Sequence, residues 1–208
     1  MSERGGRAGE PAGAVLLAAG ESTRMGQLKA LLPWDGRPLL SYAVDQLLAS
    51  PVERVAVVLG HRSDELRALL PADGRLLAVD NPAYRSGKVS SVVAGVAALP
   101  EACHVLVLGV DQPRPAALLS RVVADHLAGG APITVAAFEG RRGHPVLFAP
   151  GLRAELLELD EATAGMRAIL RRHADGVRLS ETGSALALVN LNRPEDYAAA
   201  RREFLAAG

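Results

Sequence analysis

Residues Val15 to Pro33 read VLLAAGESTRMGQLKALLP, and the order of apolar and polar residues in this stretch decides the fold. Apolar residues lead into Ala-Ala-Gly, and the polar segment that follows holds Arg24, Gly26 and Lys29. The apolar part is typical of a buried strand. The polar part is typical of an anion-binding loop, because glycine lets backbone N–H groups approach a phosphate while the two cations neutralise it. An exposed turn with solvated cations is the alternative.

The spacing of this loop matches neither of the two best-known phosphate loops. A Walker loop requires G-x-x-x-x-G-K-[ST], whereas five residues separate Gly20 from Gly26 and two more stand before Lys29. The dinucleotide fingerprint G-x-G-x-x-G is not met either. If the loop binds phosphate, its glycines and cations must therefore be arranged differently from those of a Walker loop or a dinucleotide-binding loop.

The composition argues against several classes of protein. The 208 residues hold 23 Lys and Arg against 23 Asp and Glu, so the basic excess needed for non-specific nucleic-acid or membrane-surface binding is missing. The single cysteine, Cys103, gives no support to a disulfide or a cysteine-built zinc site. Residues 1–12 read as a disordered leader without the apolar segment of a signal peptide. We expect a cytoplasmic protein whose single domain covers 13–208, elaborated from about residue 139.

Short runs rich in Val and Leu alternate with helical periodicity along the chain. The predicted strands are Ala14–Ala18, Arg54–Leu59, Arg75–Val79, His104–Leu108, Ile133–Ala137, Pro145–Phe148 and Leu186–Leu191. The predicted helices cover 39–48, 63–70, 90–99, 118–127, 150–158, 163–172 and the segment from Pro194. Strands this apolar are typical of a sheet buried on both faces. We therefore predict an α/β fold with three layers, in which helices cover an open, mostly parallel sheet.

Polar residues follow several of these strands, where ligands bind in open α/β sheets. Asp111 comes after the very apolar run HVLVLGV, and a carboxylate at such a strand end suits Mg²⁺ when it faces a phosphate loop. Capping of the helix after Pro115 is the alternative role for Asp111. Asn81 follows the third strand, and Ser90 and Ser91 open a helix, where they either cap it or contact an anion or ribose.

Two further groups of polar residues stand in the last third of the chain. The segment Arg141-Arg142-Gly143-His144-Pro145 places cations and a histidine before an apolar strand, and a lone histidine is more often structural than catalytic. Asn190 and Asn192 end the last predicted strand, where they either cap the final helix or help to bind a metal. No serine or cysteine motif accompanies them, so nucleophilic catalysis is not indicated.

The segment LLAAGESTRMGQLKALLPWDGRPLL, residues 16–40, resembles the signature of the nucleotidyltransferases that activate molybdenum cofactor. Four further segments match the family in the same order: NPAYRSGKVSSVVAG, GVDQP, RRGHPVLF and NLNRPEDY. Together they cover roughly residues 13–200. The form Leu17-Ala18-Ala19-Gly20 is that of the cytidylyl branch, which uses CTP and molybdopterin. Some relatives are instead associated with the reduction of nicotine blue or the maturation of molybdenum hydroxylases.

The resemblance implies a nucleotide-binding fold of the nucleotide-diphospho-sugar transferase type and transfer of a nucleoside monophosphate to a phosphorylated acceptor, with release of pyrophosphate. It implies Mg²⁺ held by Asp111 and Asn192, and a molybdenum enzyme as recipient of the product. The residues implied in catalysis are Arg24, Lys29 and Asp111, and those implied in acceptor binding are Arg142, His144 and Arg167. The residues implied in nucleotide binding are Leu17, Ala18, Ala19, Gly20, Ser22, Arg24, Lys29, Asn81, Ser90, Ser91 and Asp111.

Three departures from the family pattern leave the base and the acceptor open. The segment Ala162–Arg167 lacks the usual aspartate, Lys88 replaces a usual methionine, and Asn190 and Asn192 stand where cytidylyl members often have aspartates. The alternatives are a nucleotidyltransferase for GTP or a sugar phosphate, an NAD(P)H-dependent reductase, and a non-catalytic cofactor carrier.

Overall fold

A computed structural model describes residues 11–22, 25–163 and 165–206 of the chain. The strands are β1 (Ala12–Leu17), β2 (Pro33–Trp34), β3 (Arg37–Pro38), β4 (Arg54–Leu59), β5 (Leu76–Asp80), β6 (His104–Gly109), β7 (Ile133–Phe138), β8 (Arg141–Phe148) and β9 (Val177–Glu181). The α-helices are α1 (Leu39–Leu48), α2 (Ser63–Arg67), α3 (Lys88–Ala98), α4 (Ala116–Gly129), α5 (Arg153–Leu157), α6 (Met166–Arg172) and α7 (Pro194–Ala206). Each helix in this part of the chain is too short or too polar to cross a membrane.

The main sheet has seven strands in the order β5-β4-β1-β6-β8-β7-β9. The strands β5, β4, β1 and β6 run parallel to one another, β8 is antiparallel to both of its neighbours, and β9 is parallel to β7. The prediction of an open, mostly parallel sheet covered by helices is therefore confirmed. The expected domain limits, 1–12 and 13–208, stay predictions, and residues 1–10 lie outside the described part.

Helices cover both faces of the sheet because the central strands are apolar on both sides. In β1, Ala14 and Leu16 contribute to one buried cluster while Val15 and Leu17 contribute to the other. The first cluster receives the apolar faces of α1 and α4, and the second receives those of α3, α5 and α6. Alternation of side chains along a strand thus feeds two cores from one run of apolar residues.

Helix α3 lies unusually close to the sheet at Gly95. A Cβ atom on this residue would stand 2.3 Å from Cγ1 of Val15 and 2.9 Å from Cγ2 of Val58. Only glycine fits such a distance, since real Cβ atoms keep more than 3.0 Å from their neighbours. The residue at position 95 therefore sets how near the helix approaches β1 and β4.

The predicted strand Leu186–Leu191 is wrong. Residues Ala185–Leu188 form a turn of 3₁₀-helix, and the chain after them is irregular. The apolar side chains Leu186 and Ala187 are buried against the first core cluster, so they pack as the prediction expects but without joining the sheet. The carbonyls of Ala187 and Val189 accept hydrogen bonds from the Arg114 side chain, which replaces the missing ladder.

The strand that ends the sheet is β9, in a segment where no strand is predicted. Its sequence VRLSE lies at the edge of the sheet and buries Ser180, so it carries no apolar run. The predicted strand Pro145–Phe148 is longer than expected, because β8 begins at Arg141. It forms a hairpin with β7 through Glu139 and Gly140, whose φ angles are +51° and +72°, and two such residues make the turn that fits the strand twist.

A chain of buried polar side chains links β6, α4 and β7. The ring atoms His104 Nδ1 and His126 Nε2 are 2.9 Å apart, and His126 Nδ1 is 2.8 Å from Thr134 Oγ1. Burial, and after it the neighbouring His104, lowers the pKa of His126 from 6.5 to about 3. His126 is therefore neutral in the folded protein at neutral pH.

We predict that acid destabilises the fold through His126. The unfolded chain takes up a proton on this residue below pH 6.5, whereas the folded chain does not until about pH 3. The free energy of unfolding should therefore fall by about 1.4 kcal/mol for each pH unit below 6.5. Urea unfolding at pH 8, 6, 5 and 4 measures this slope.

The variant His126→Gln provides the control for the other groups that titrate in the same range. It should be less stable than the wild type at pH 8, and the difference between the two proteins should shrink as the pH falls. A difference that stays constant from pH 8 to pH 4 would show that His126 takes up its proton at the same pH in the folded and the unfolded chain.

Candidate functional site

A cavity of about 480 Å³ opens beyond the carboxyl ends of β1 and β6. Its wall includes nine of the residues predicted to bind nucleotide or metal, namely Leu17, Ala18, Ala19, Gly20, Ser22, Lys29, Ser91, Asp111 and Asn192. Tyr84, Gly87 and Lys88 form another part of the wall, at the start of α3. The loops therefore meet where ligands bind in parallel α/β sheets.

The loop after β1 lines the cavity and keeps two backbone donors without an acceptor in the described ranges. Ala18 N donates to Val58 O at 2.9 Å, which continues the sheet, and Ala19 O accepts a hydrogen bond from His61 N at 3.0 Å. Within the described ranges, nothing accepts a hydrogen bond from the N–H groups of Ala19 and Gly20. The loop is thus held by its neighbours while two donors stay available to an anion.

Lys29 brings a cation to the centre of this group. Its backbone N–H donates to Ser22 Oγ at 3.0 Å, which closes the loop on itself. Its Nζ atom donates to Asp111 Oδ2 at 2.9 Å and to Asn192 Oδ1 at 3.0 Å. The lysine and aspartate side chains are 14% and 23% exposed, so this pair is less screened than a surface ion pair.

Asp111 occupies its position because the preceding strand ends in glycine. A Cβ atom on Gly109 would stand 2.4 Å from Asp111 Oδ1, so any larger residue would displace the carboxylate. Asp111 O accepts a hydrogen bond from Leu191 N at 2.9 Å. This bond brings the segment with Asn192 beside the end of β6, across a separation of about eighty residues in the sequence.

Asn81 supports the cavity wall and is not part of it. Its Nδ2 donates to Ser90 Oγ and to Ser91 Oγ, both at 2.9 Å, and its Oδ1 accepts a hydrogen bond from Ala83 N at 3.0 Å. Ser90 also bonds to the carbonyl of Gly87 at 2.9 Å and stands outside the wall, whereas Ser91 lines the cavity. The asparagine therefore organises the first turn of α3.

The residues predicted to bind the acceptor do not line the cavity. Arg142 is an exposed residue of β8, and Arg167 is an exposed residue of α6. His144 is largely buried, and burial, followed by the charges of Lys88 and Arg114, lowers its pKa to about 4. Its ring is therefore neutral at pH 7. Arg24, predicted as a catalytic residue, lies outside the described residues.

Glu161, the residue just before the segment that departs from the family pattern, lies against α3. Glu161 Oε2 accepts a hydrogen bond from Val89 N at 2.9 Å, in the first turn of the helix. A Cβ atom on Gly87 would stand 2.5 Å from Glu161 Cδ. A carboxylate is favourable near the N-terminus of a helix, which explains why Glu161 lies there.

Two buried residues near Asp111 were missed as functional candidates. Gln112 bonds to Gly109 and Asn190, and Arg114 bonds to three backbone carbonyls. Gln112 belongs to the DQP segment singled out above, so its sequence position was a usable signal. No sequence signal indicates that Arg114 is buried, since arginine is mostly exposed in proteins.

The side chains around Lys29 fit a divalent cation that also binds substrate. No cluster of three or more His, Cys, Asp or Glu side chains able to hold a metal occurs in the described ranges. Mg²⁺ does not need one, because it usually binds one or two carboxylates together with substrate phosphates and water. The oxygens of Asp111 and Asn192 already converge on one positive group, Lys29 Nζ.

Three relatives carry names for different activities. The nicotine blue oxidoreductase of Paenarthrobacter nicotinovorans is 35% identical over 167 residues, covering 76% of this chain and 80% of its own. The molybdenum cofactor cytidylyltransferase of Escherichia coli is 25% identical over 190 residues, covering 91% and 95%. The molybdenum cofactor guanylyltransferase of Xanthomonas euvesicatoria is 33% identical over 187 residues, covering 88% and 90%.

Two solved structures have the same fold. A Methanothermobacter nucleotidyl transferase superposes with a TM-score of 0.80 at 26% identity, covering 96% of this chain and 100% of its own. A Mycobacterium tuberculosis protein in complex with manganese superposes with a TM-score of 0.72 at 21% identity, covering 93% and 98%.

The profile of the MobA-like NTP transferase domain matches residues 14–177. The match begins in the first buried strand, reaches the first residue of β9 and contains the described residues of the cavity wall except Asn192. It confirms the resemblance stated from the sequence motifs. The chain belongs to the MobA-like NTP transferase family and is a nucleotidyltransferase of that type.

Proposed function

We propose that the protein transfers CMP from CTP to a phosphorylated acceptor, molybdopterin, with Mg²⁺ as the cofactor and pyrophosphate as the leaving group. One observation carries this proposal: Lys29 Nζ contacts both Asp111 and Asn192 in a cavity that is also lined by Ala19 and Gly20, whose N–H groups have no acceptor in the described ranges. A triphosphate needs both features, cations to neutralise its charge and backbone donors to orient its oxygens.

The reaction needs no nucleophile from the protein. A phosphate oxygen of the acceptor is already ionised at pH 7 and attacks the α-phosphorus in line with the departing pyrophosphate. Catalysis then consists of positioning and charge stabilisation. Backbone N–H groups at Ala19 and Gly20 would orient the triphosphate, and Lys29 would exchange the Asp111 carboxylate for an oxygen of the leaving pyrophosphate.

Asp111 and Asn192 would hold the magnesium ion. When bound, Mg²⁺ neutralises phosphate oxygens and stabilises the charge that develops on them. Both side chains reach the position of Lys29 Nζ, so they would hold the ion beside the loop after β1. The manganese complex of the structurally similar protein is consistent with a divalent cation in this fold.

Support for CTP comes from the loop Leu17-Ala18-Ala19-Gly20 and from the cytidylyltransferase relative, which matches nearly the whole chain. The guanylyltransferase relative makes GTP the main alternative. Arg142, His144 and Arg167 stay predicted acceptor contacts, and transfer of the product to a molybdenum enzyme stays a prediction. Lys88 is a second cation of the cavity wall besides Lys29, and it would attract the phosphate of an acceptor.

A reductase is the second candidate function, because a nicotine blue oxidoreductase is 35% identical to this chain. The absence of a G-x-G-x-x-G segment counts against it. Oxidation of NADH and NADPH, followed by absorbance with and without nicotine blue, tests this candidate directly. Oxidation without any pyrophosphate release from NTPs would favour it over nucleotidyl transfer.

We predict that Asp111→Asn lowers the rate of pyrophosphate release by about 10²–10³-fold, since it removes one well-placed charge at the reacting phosphates. The melting temperature should change little, because the carboxylate is near the surface of the cavity. The assay uses CTP, molybdopterin and Mg²⁺, and chelation with EDTA should stop the wild-type reaction.

The matched control is Asp45→Asn. Asp45 lies on α1, outside the cavity wall, and its carboxylate pairs with Arg37. This variant should retain the wild-type rate. Wild-type turnover by Asp111→Asn would disprove the role assigned to this carboxylate.

We also predict that CTP with Mg²⁺ raises the melting temperature more than GTP, ATP or UTP at the same concentration. A ligand present at 100 times its dissociation constant stabilises the folded state by about 2.7 kcal/mol. Scanning calorimetry measures the shift. A larger shift with GTP would overturn the choice of CTP and leave nucleotidyl transfer intact.

A further inference from the structure

Two segments that are distant in sequence run side by side at the edge of the cavity. They are Asp111–Arg114, which follows β6, and Val189–Asn192, which precedes α7. Leu191 N donates to Asp111 O at 2.9 Å, and Gln112 Nε2 donates to Asn190 Oδ1 at 2.7 Å. Arg114 Nη2 donates to Val189 O at 2.6 Å. Three consecutive residues of one segment are therefore held by the other.

Gln112 connects this contact to β6, the strand that precedes Asp111. Its side chain is buried, with 3% of the residue exposed, and its Oε1 accepts a hydrogen bond from Gly109 N at 2.8 Å. The same amide bonds to Asn190, two residues before Asn192. One side chain thus holds the end of β6 and the segment that brings Asn192 to the cavity.

Arg114 is buried without an acidic hydrogen-bond partner in the described part of the chain. The residue is 1% exposed, and burial lowers its pKa to about 9, so it remains charged at pH 7. Besides Val189 O, it donates to His144 O at 2.9 Å and to Ala187 O at 3.0 Å. Burying a charge costs stability, whereas these three hydrogen bonds fix β8 and residues 187–189 relative to the segment Asp111–Arg114.

We propose that Gln112 and Arg114 are positioning residues, which set the separation of Asp111 and Asn192 and thereby the affinity of the site for its divalent cation. The inference rests on the proposed function. Residues that orient metal ligands without touching the metal commonly change metal affinity by about 10–100-fold when they are replaced. A purely structural role would change the melting temperature and leave the affinity for metal unaltered.

The test measures Mn²⁺ binding to the full chain by electron paramagnetic resonance, with CTP present and without acceptor. Gln112→Leu removes both hydrogen bonds of the amide while keeping a side chain of similar size. We expect it to weaken Mn²⁺ binding by about 10–100-fold. Binding of CTP without metal, followed by calorimetry, should stay within about twofold of the wild type, because the nucleotide contacts are unchanged.

The matched control is Gln46→Leu. Gln46 Oε1 accepts a hydrogen bond from Ala116 N at 2.8 Å, so this variant also removes a glutamine bond to the backbone, but outside the cavity wall. It should bind Mn²⁺ as the wild type does, even if its melting temperature falls as far as that of Gln112→Leu. Equal Mn²⁺ affinity in the two variants would overturn the proposal.

Arg114→Lys extends the test while keeping the buried charge. Lysine presents one ammonium group, whereas arginine reaches carbonyls of β8 and of residues 187–189. We therefore expect Arg114→Lys to weaken Mn²⁺ binding, as Gln112→Leu does. If this variant fails to fold, Gln112→Leu still decides the result.

Failure of the inference is distinguishable from failure of the proposed function. A wild type that neither releases pyrophosphate nor binds Mn²⁺ with CTP would refute the function and this inference with it. A wild type that does both, alongside a Gln112→Leu variant of equal Mn²⁺ affinity, would refute the inference alone.

Discussion

The parallel pairing of β1 with β6 is the constraint on which the rest of the site depends. Leu17 lies opposite Gly109 in the register, and Val110 N donates to Leu17 O at 3.0 Å just beyond the last pair. The two strands therefore end at the same height, and the chain leaves both at one edge. The glycine loop and Asp111 are neighbours for this reason, although about ninety residues separate them in the sequence.

Lys29 completes the junction that this pairing begins. It draws together a carboxylate from the end of β6 and an amide from the segment before α7, so three separate parts of the chain meet at one ammonium group. Charge balance within the group is local, because one positive and one negative side chain face each other in a partly buried space. Net charge, which is zero for the whole chain, gives no indication of such a site.

Sequence reasoning succeeded where one local signal was sufficient. The strands β1, β4 and β6 are continuous apolar runs, and the rule that ligands bind at the carboxyl ends of parallel strands led to Asp111 and the loop before Lys29.

Prediction from the sequence failed where contacts between distant residues decide the local structure. Leu186 is apolar because it packs on a helix-covered face, β9 joins the sheet with polar residues at its edge, and Asn81 acts through Ser90 and Ser91. A buried arginine such as Arg114 depends on carbonyls that only the fold brings near.

The width of the cavity is controlled from a residue that no ligand would touch. Ser91, Gly87 and Lys88 face the cavity from the first turn of α3 and its cap, and the distance of that helix from the sheet is limited at Gly95, one to two turns further along. A Gly95→Ala substitution would add a methyl group against Val15 and Val58 and push α3 away from the sheet. The part of the cavity wall that α3 carries would then move outward, while the residues of the rest of the wall stay the same. The glycine at position 95 thus bears on the width of the cavity from within the core, at a place outside the cavity wall.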